Sequence, residues 1–165
     1  ARIASMPLGG YRKKDWLAFQ RAAKAHPEIL FVVSAGNDGR DIDANPVYPA
    51  GFGLANAITV TSTDNFGRLP HESNWGVKNV DISTPGERIA TRDHLGAIKQ
   101  ASGSSYAVPR IAALAARLKA ANPAWGTQQL KAAIMKHAVP SPAERTPRTA
   151  HGWIPNPALA GPAAQ

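Results

Sequence analysis

The 165-residue chain contains no cysteine, which removes disulfides, thiolate nucleophiles and cysteine-held metals together. Long apolar runs are missing too: no window reaches the roughly 18 consecutive apolar residues of a membrane span, so no span is expected. The opening residues carry no charged-then-apolar leader and read as the middle of a strand, which leaves the compartment open. Aromatic residues make up only 7% of the chain and do not interleave with basic residues in the way base stacking requires. Lys and Arg outnumber Asp and Glu 19 to 11, for a net charge of +8, yet apart from Arg12-Lys13-Lys14 the positive charge is scattered. A nucleic-acid partner needs a basic face or groove, so none is expected. What the chain does hold is apolar residues, 44% of the total, enough for one compact domain with a real core.

The order of local patterns points to an α/β fold. Residues 1–6 read as a strand, Pro7-Leu8-Gly9-Gly10 as a break, and Tyr11 to His26 as a helix ended by Pro27. Ile29-Leu30-Phe31-Val32-Val33 is a continuous apolar run of the kind that forms a strand covered on both faces. A strand, a helix and a buried strand in succession make a βαβ unit with parallel strands. Ser34 to Asn56 reads as a long functional loop, followed by strands at Ala57–Thr61 and Asn79–Ile82. Arg88–Thr91 and Ala97–Ala101, separated by Asp93-His94-Leu95-Gly96, read as a hairpin. A helix from about Ser105 to Ala121 presents Ala107, Ile111, Leu114, Ala115 and Leu118 on one stripe, with Pro109 expected within about its first turn. A second helix covers Thr127 to about His137, and residues 139–165 form a proline-rich segment expected to end loosely.

Two places could carry chemistry. Ser102-Gly103-Ser104-Ser105 stands at the mouth of the long helix, where free N–H groups and the positive end of the helix dipole favour a developing negative oxygen. On local grounds these serines are equally a helix cap. Asn37, in Ser34-Ala35-Gly36-Asn37-Asp38-Gly39, follows the buried strand at its carboxyl end, where ligand sites of parallel sheets gather. Its carboxamide could donate to an oxyanion, or the segment could be only a turn.

The series Met6-Pro7-Leu8-Gly9-Gly10, Phe31 to Gly39, Tyr48-Pro49-Ala50, Ala57-Ile58-Thr59-Val60, Asp81-Ile82-Ser83-Thr84-Pro85-Gly86, Ser102 to Pro109 and Gly152 to Leu159, taken in order, resembles the subtilisin-like serine proteases. The resemblance implies an α/β fold with a largely parallel sheet flanked by helices. It also implies that residues 1–165 are the C-terminal half of such a domain, with the N-terminal part missing. Ser105 matches the nucleophile of the family's Gly-Thr-Ser-Met-Ala-x-Pro motif, with Ser104 for the threonine and Tyr106 for the methionine. Asn37 matches the oxyanion donor. Pro7, Leu8 and Gly9 match the edge that pairs with a polypeptide substrate, and Ser34, Ala35 and Gly36 match the lining of the pocket beside the scissile bond. The implied activity is that of a serine endopeptidase, and a secreted or cell-envelope location follows from the resemblance alone.

The departures are Arg110, where the family has histidine, and Pro7, where serine is common and whose missing N–H removes one donor to substrate. A further gap is the general base. His26, His71, His94, His137 and His151 all lie outside the Gly-rich setting of the family's histidine, and the family places its aspartate and histidine earlier in the chain than the serine. The expected partner is therefore an N-terminal half carrying both. In subtilisin, loss of the histidine alone costs about 2 × 10⁶ in kcat, so the chain by itself is expected to be nearly inactive. The alternative is a catalytically inactive relative that keeps the groove as a peptide-binding module. No cofactor is evident. The family's structural calcium is possible, but Asp41, Asp43 and Asn45 are followed by Pro46 where a calcium loop needs its turn glycine, so no metal ligands are assigned.

Overall fold

The computed structural model describes residues 2–160. Four parallel strands form the sheet: β1 (Ile3–Met6), β2 (Leu30–Ser34), β3 (Ala57–Thr63) and β4 (Ile82–Pro85), paired in that order. The side-chain alternation of β2 explains why the sheet needs two covers. Leu30 and Val32 join Ile58, Val60 and Ile82 against α2 (Ser104–Ala121) and α3 (Thr127–Met135). Phe31 and Val33 turn the other way, toward α1 (Leu17–Ala25) and the loop that follows β2. The expected stripe of Ala107, Ile111, Leu114, Ala115 and Leu118 is buried throughout and forms one wall of the main core. The α/β reading with a parallel sheet and flanking helices therefore holds.

Four local expectations need correction. The helix expected from Tyr11 begins at Leu17, because Arg12 is extended and a 3₁₀ turn at Lys13–Trp16 leads into it. The fourth strand lies at Ile82–Pro85 rather than Asn79–Ile82. At Asp81 the side-chain carboxylate, not a carbonyl, takes the Thr59 N–H at 2.7 Å, so regular pairing starts one residue later, at Val60 with Ile82. Pro109 stands in the second turn of α2, so its nitrogen cannot donate to the carbonyl of Ser105 four residues back. The closing segment is held to the sheet as far as Ile154: Ala150 and His151 donate to Val80 and Asp81, and the Ser83 N–H and carbonyl pair with Gly152 and Ile154, while its last residues, 161–165, lie outside the described residues. Trp153 and Ile154 are buried there. That segment covers the outer edge of β4, whereas among the described residues β1 has a neighbour on one side only.

β5 (Ile89–Arg92) and β6 (Ile98–Ala101) form a separate antiparallel hairpin, as expected. Leu95 and Ile98 stand in solvent on it, 81% and 69% exposed.

Besides the core contacts of Leu130 and Ile134, an ion pair ties α3 to the sheet region. Lys131 Nζ lies 2.9 Å from Asp81 Oδ1 and also donates to the Ala57 carbonyl at 2.7 Å. Asp81→Ala removes the acceptor of the Thr59 N–H and leaves the ammonium only the Ala57 carbonyl, and is expected to cost about 2 kcal/mol of stability. Lys131→Met should cost less, because Asp81 keeps the Thr59 N–H. Urea unfolding of the two variants measures the difference.

Candidate active site

The loop after β2 and the N-terminus of α2 meet at Asn37. The Ser104 N–H lies 2.8 Å and the Ser104 hydroxyl 2.9 Å from one atom of the Asn37 carboxamide. A backbone N–H can only donate, so that atom is the oxygen, Oδ1. The amide nitrogen must then face the other way, and it has no hydrogen-bond partner among the described residues. Ser104 is fully buried, which keeps this tether out of competition with water. Gly103 allows the approach: its φ is 128°, and a Cβ there would sit 3.2 Å from both Oδ1 and Nδ2 of Asn37.

Ser105 follows as the second residue of α2. Its hydroxyl donates to the carbonyl of Pro7 at 3.1 Å, and its backbone N–H is a first-turn donor with no partner among the described residues. Among the described residues Asn37 Nδ2 and the Ser105 N–H are thus two unused donors, and Asn37 and Ser105 line one cleft at the positive end of an 18-residue helix. Donors of this kind can receive an oxyanion.

A cleft of about 240 Å³ opens beside Ser105. Pro7, Leu8 and Gly9 form one wall and Ser34, Gly36 and Asn37 the other. Leu8 and Gly9 make no backbone hydrogen bond among the described residues, so their N–H and C=O groups are available to an extended chain. Ala35 stands apart from its neighbours: its side chain is fully buried among Val33, Ile42 and Val47, and its carbonyl is held by Asn74. At the far end Tyr11 donates to Asp38 Oδ1 at 2.6 Å, and the Arg40 guanidinium lies over the Tyr11 ring.

Asn74 is the residue that sequence reasoning missed. It is fully buried, and its oxygen accepts from the N–H groups of Asp38 and Arg40 while its nitrogen donates to the Ala35 carbonyl. It thereby shapes the turn that presents Asn37. Gly36 faces it with φ 95°, where a Cβ would lie 2.5 Å from Asn74 Nδ2. Asn74 comes from a loop 37 residues further along, and no spacing in the sequence marks it.

The five histidines are not brought to Ser105. His26 pairs with Glu28 at the end of α1, His94 lies in the β5–β6 turn, and none hydrogen-bonds the Ser105 hydroxyl. Arg110 donates to the Pro85 carbonyl, and burial pushes its guanidinium below the usual arginine range. Asp43 gives both carboxylate oxygens to the N–H groups of Lys78 and Asn79, and Asp41 caps the Asp43 N–H. These side chains hold the loop rather than form a calcium cradle. Among the described residues no three His, Asp or Glu side chains gather in a metal-ligating group.

Two measurable consequences follow. Asn74→Asp replaces the donor facing the Ala35 carbonyl by a carboxylate oxygen, and is expected to destabilise the chain by about 2–4 kcal/mol in urea unfolding. Tyr11 ionises above the ordinary tyrosine range, first because its hydroxyl donates to Asp38, then through burial and the repulsion of that carboxylate. With the folded pKa raised, this bond contributes fully below the unfolded tyrosine value near 10 and is lost as pH rises through the folded one. Spectrophotometric titration should show one of the three tyrosines ionising late, and Asp38→Asn should bring it back.

The chain is similar to known proteins along most of its length. It is 38% identical over 120 residues to a cuticle-degrading serine protease of Arthrobotrys oligospora, covering 69% of this chain and 27% of that protein. It is 32% identical to alkaline serine exoprotease A of Vibrio alginolyticus over 82% of this chain and 24% of that one. Its backbone superposes on a cold-adapted subtilisin-like serine proteinase with a TM-score of 0.79 and 28% identity, covering 92% of this chain and 54% of that one. The chain thus spans about a quarter of these curated relatives and about half of that solved structure. With the profile of the Subtilase family matching residues 1–153, the chain belongs to the subtilases.

Proposed function

We propose that this chain supplies the nucleophile, oxyanion donors and substrate cleft of a serine endopeptidase. Ser105 attacks the scissile carbonyl, and Asn37 Nδ2 with the Ser105 N–H receives the oxyanion. The polypeptide substrate lies extended along Leu8 and Gly9, with a side chain entering the cleft toward Ser34 and Gly36. Pro7 contributes its carbonyl only. The observation that carries the reading is the orientation of Asn37: its oxygen is bound by Ser104, which leaves its nitrogen as a donor without a partner among the described residues, and Asn37 and Ser105 line the same cleft.

The general base and its orienting carboxylate come from a polypeptide segment outside these 165 residues. The outer side of β1 supports this, since among the described residues that edge has no strand neighbour, leads directly into the Pro7–Gly9 wall and offers a template for a further strand. Until that segment is present the Ser105 hydroxyl keeps its proton and donates it in a hydrogen bond to the Pro7 carbonyl, and the chain alone is nearly inactive. A secreted or cell-envelope location belongs to the same reading, supported by membership of the family. Among the described residues no helix is long and apolar enough to cross a membrane.

Fluorophosphonate labelling tests the assignment. The chain assembled with the segment bearing histidine and aspartate should label at Ser105, and Ser105→Ala should abolish the label. A folded assembly that binds peptide without labelling would establish the peptide-binding module instead.

A further inference from the structure

Ser34 closes β2 and is 4% exposed, so its hydroxyl must be satisfied within the protein. It lies 2.7 Å from the Ser104 hydroxyl and accepts the Gly36 N–H at 3.0 Å. Distance alone leaves the Ser34–Ser104 proton on either oxygen. Counting protons removes the choice. Asn37 Oδ1 has none to give, so the Ser104 hydroxyl at 2.9 Å must donate to it. Ser104 has only one such proton, and the bond to Ser34 must therefore be supplied by Ser34. The opposite order would set two bare lone pairs, on Ser104 and Asn37, against each other.

The result is a one-way chain running from the Gly36 N–H to Ser34, from Ser34 to Ser104 and from Ser104 to Asn37. Each bond leaves the next hydroxyl a better donor, since bonds in series polarise one another where water is excluded. Reversing the Asn37 carboxamide would place an NH₂ group against the Ser104 N–H and hydroxyl. The chain opposes that flip at its last link.

We propose that Ser34 is a positioning residue for the oxyanion donor: by committing its proton to Ser104, it holds the Asn37 carboxamide with Nδ2 toward the reacting carbonyl. Ser34 touches neither nucleophile nor oxyanion in this role, and acts through Ser104 and Asn37. The inference rests on the reading of Asn37 as oxyanion donor.

The experiment uses the protein complete with its histidine and aspartate. Loss of the oxyanion asparagine in subtilisin costs about 10²–10³ in kcat, and loosening it should cost a fraction of that. Ser34→Ala is therefore expected to lower kcat roughly tenfold, any change in KM reporting on its place in the cleft wall, and Ser34→Thr to restore kcat. On an Asn37→Ala background, Ser34→Ala should have no further effect, because the residue through which it acts is gone. The carboxamide ¹³C resonance of Asn37 gives a readout independent of turnover, and it should shift in Ser34→Ala as its hydrogen bond weakens. Should Ser34→Ala fold poorly, Ser34→Thr and its isostere Ser34→Val make the same comparison at equal volume. An unchanged kcat and an unmoved resonance in a hydroxyl-free variant would overturn the proposal, as would additive losses in the double variant. An Asn37→Ala protein with undiminished kcat would instead overturn the oxyanion reading, while the resonance still reports on the hydrogen-bond chain.

Discussion

The bond from Ser104 to the Asn37 carboxamide is the constraint on which the site depends. It joins the N-terminus of α2 to the loop beyond β2, two pieces 67 residues apart in sequence, and it decides which end of the carboxamide is free. Everything nearby serves that contact. Gly103 lets the backbones approach, Asn74 shapes the turn from beneath, and the core between α2 and the sheet fixes the distance from Ser105 to the cleft walls. Because the inner face of α2 and the strands β2 to β4 beneath it are buried in one core, the contact is held by a packed frame rather than by loop conformation alone.

Much of the frame was legible in the residues. Ile29 to Val33 announced a strand covered on both faces because nothing polar interrupts it, and the spacing of Ile111, Leu114, Ala115 and Leu118 announced a helix lying on a core. Boundaries were less legible, for a physical reason visible at Asp81. There a side-chain carboxylate replaces a main-chain acceptor, and local pattern cannot distinguish the two. The stretch from Ala150 to Ile154 misled in a related way: the prolines around it suggested looseness, while the groups that hold it are backbone atoms of Val80, Asp81 and Ser83, far away in sequence.

The site divided along the same line. Ser105 and Asn37 could be picked out because each sits at the end of a regular element, where chemistry gathers, and because the segments around them resemble a family in order. Asn74 carried no such mark, since its importance lies in three backbone partners that only folding brings within reach. Ser34 was read as a pocket wall, and lines the cleft, but its hydroxyl is engaged with Ser104. Ala35 shows the limit of a match by position: it lies between two cleft residues, yet strand alternation turns its side chain into the core.

The β5–β6 hairpin has a further consequence. Among the described residues its two short strands pair with each other alone, and Leu95 and Ile98 stay largely in solvent, with little burial to reward their order. Local opening there costs little compared with opening the sheet, and an opened hairpin is an extended, accessible stretch with an apolar side chain on display. Such a stretch has the shape of a polypeptide substrate. Resistance to proteolysis is therefore a separate property from the stability of the core, and an exposed, sparsely packed hairpin bears on the first without weakening the second.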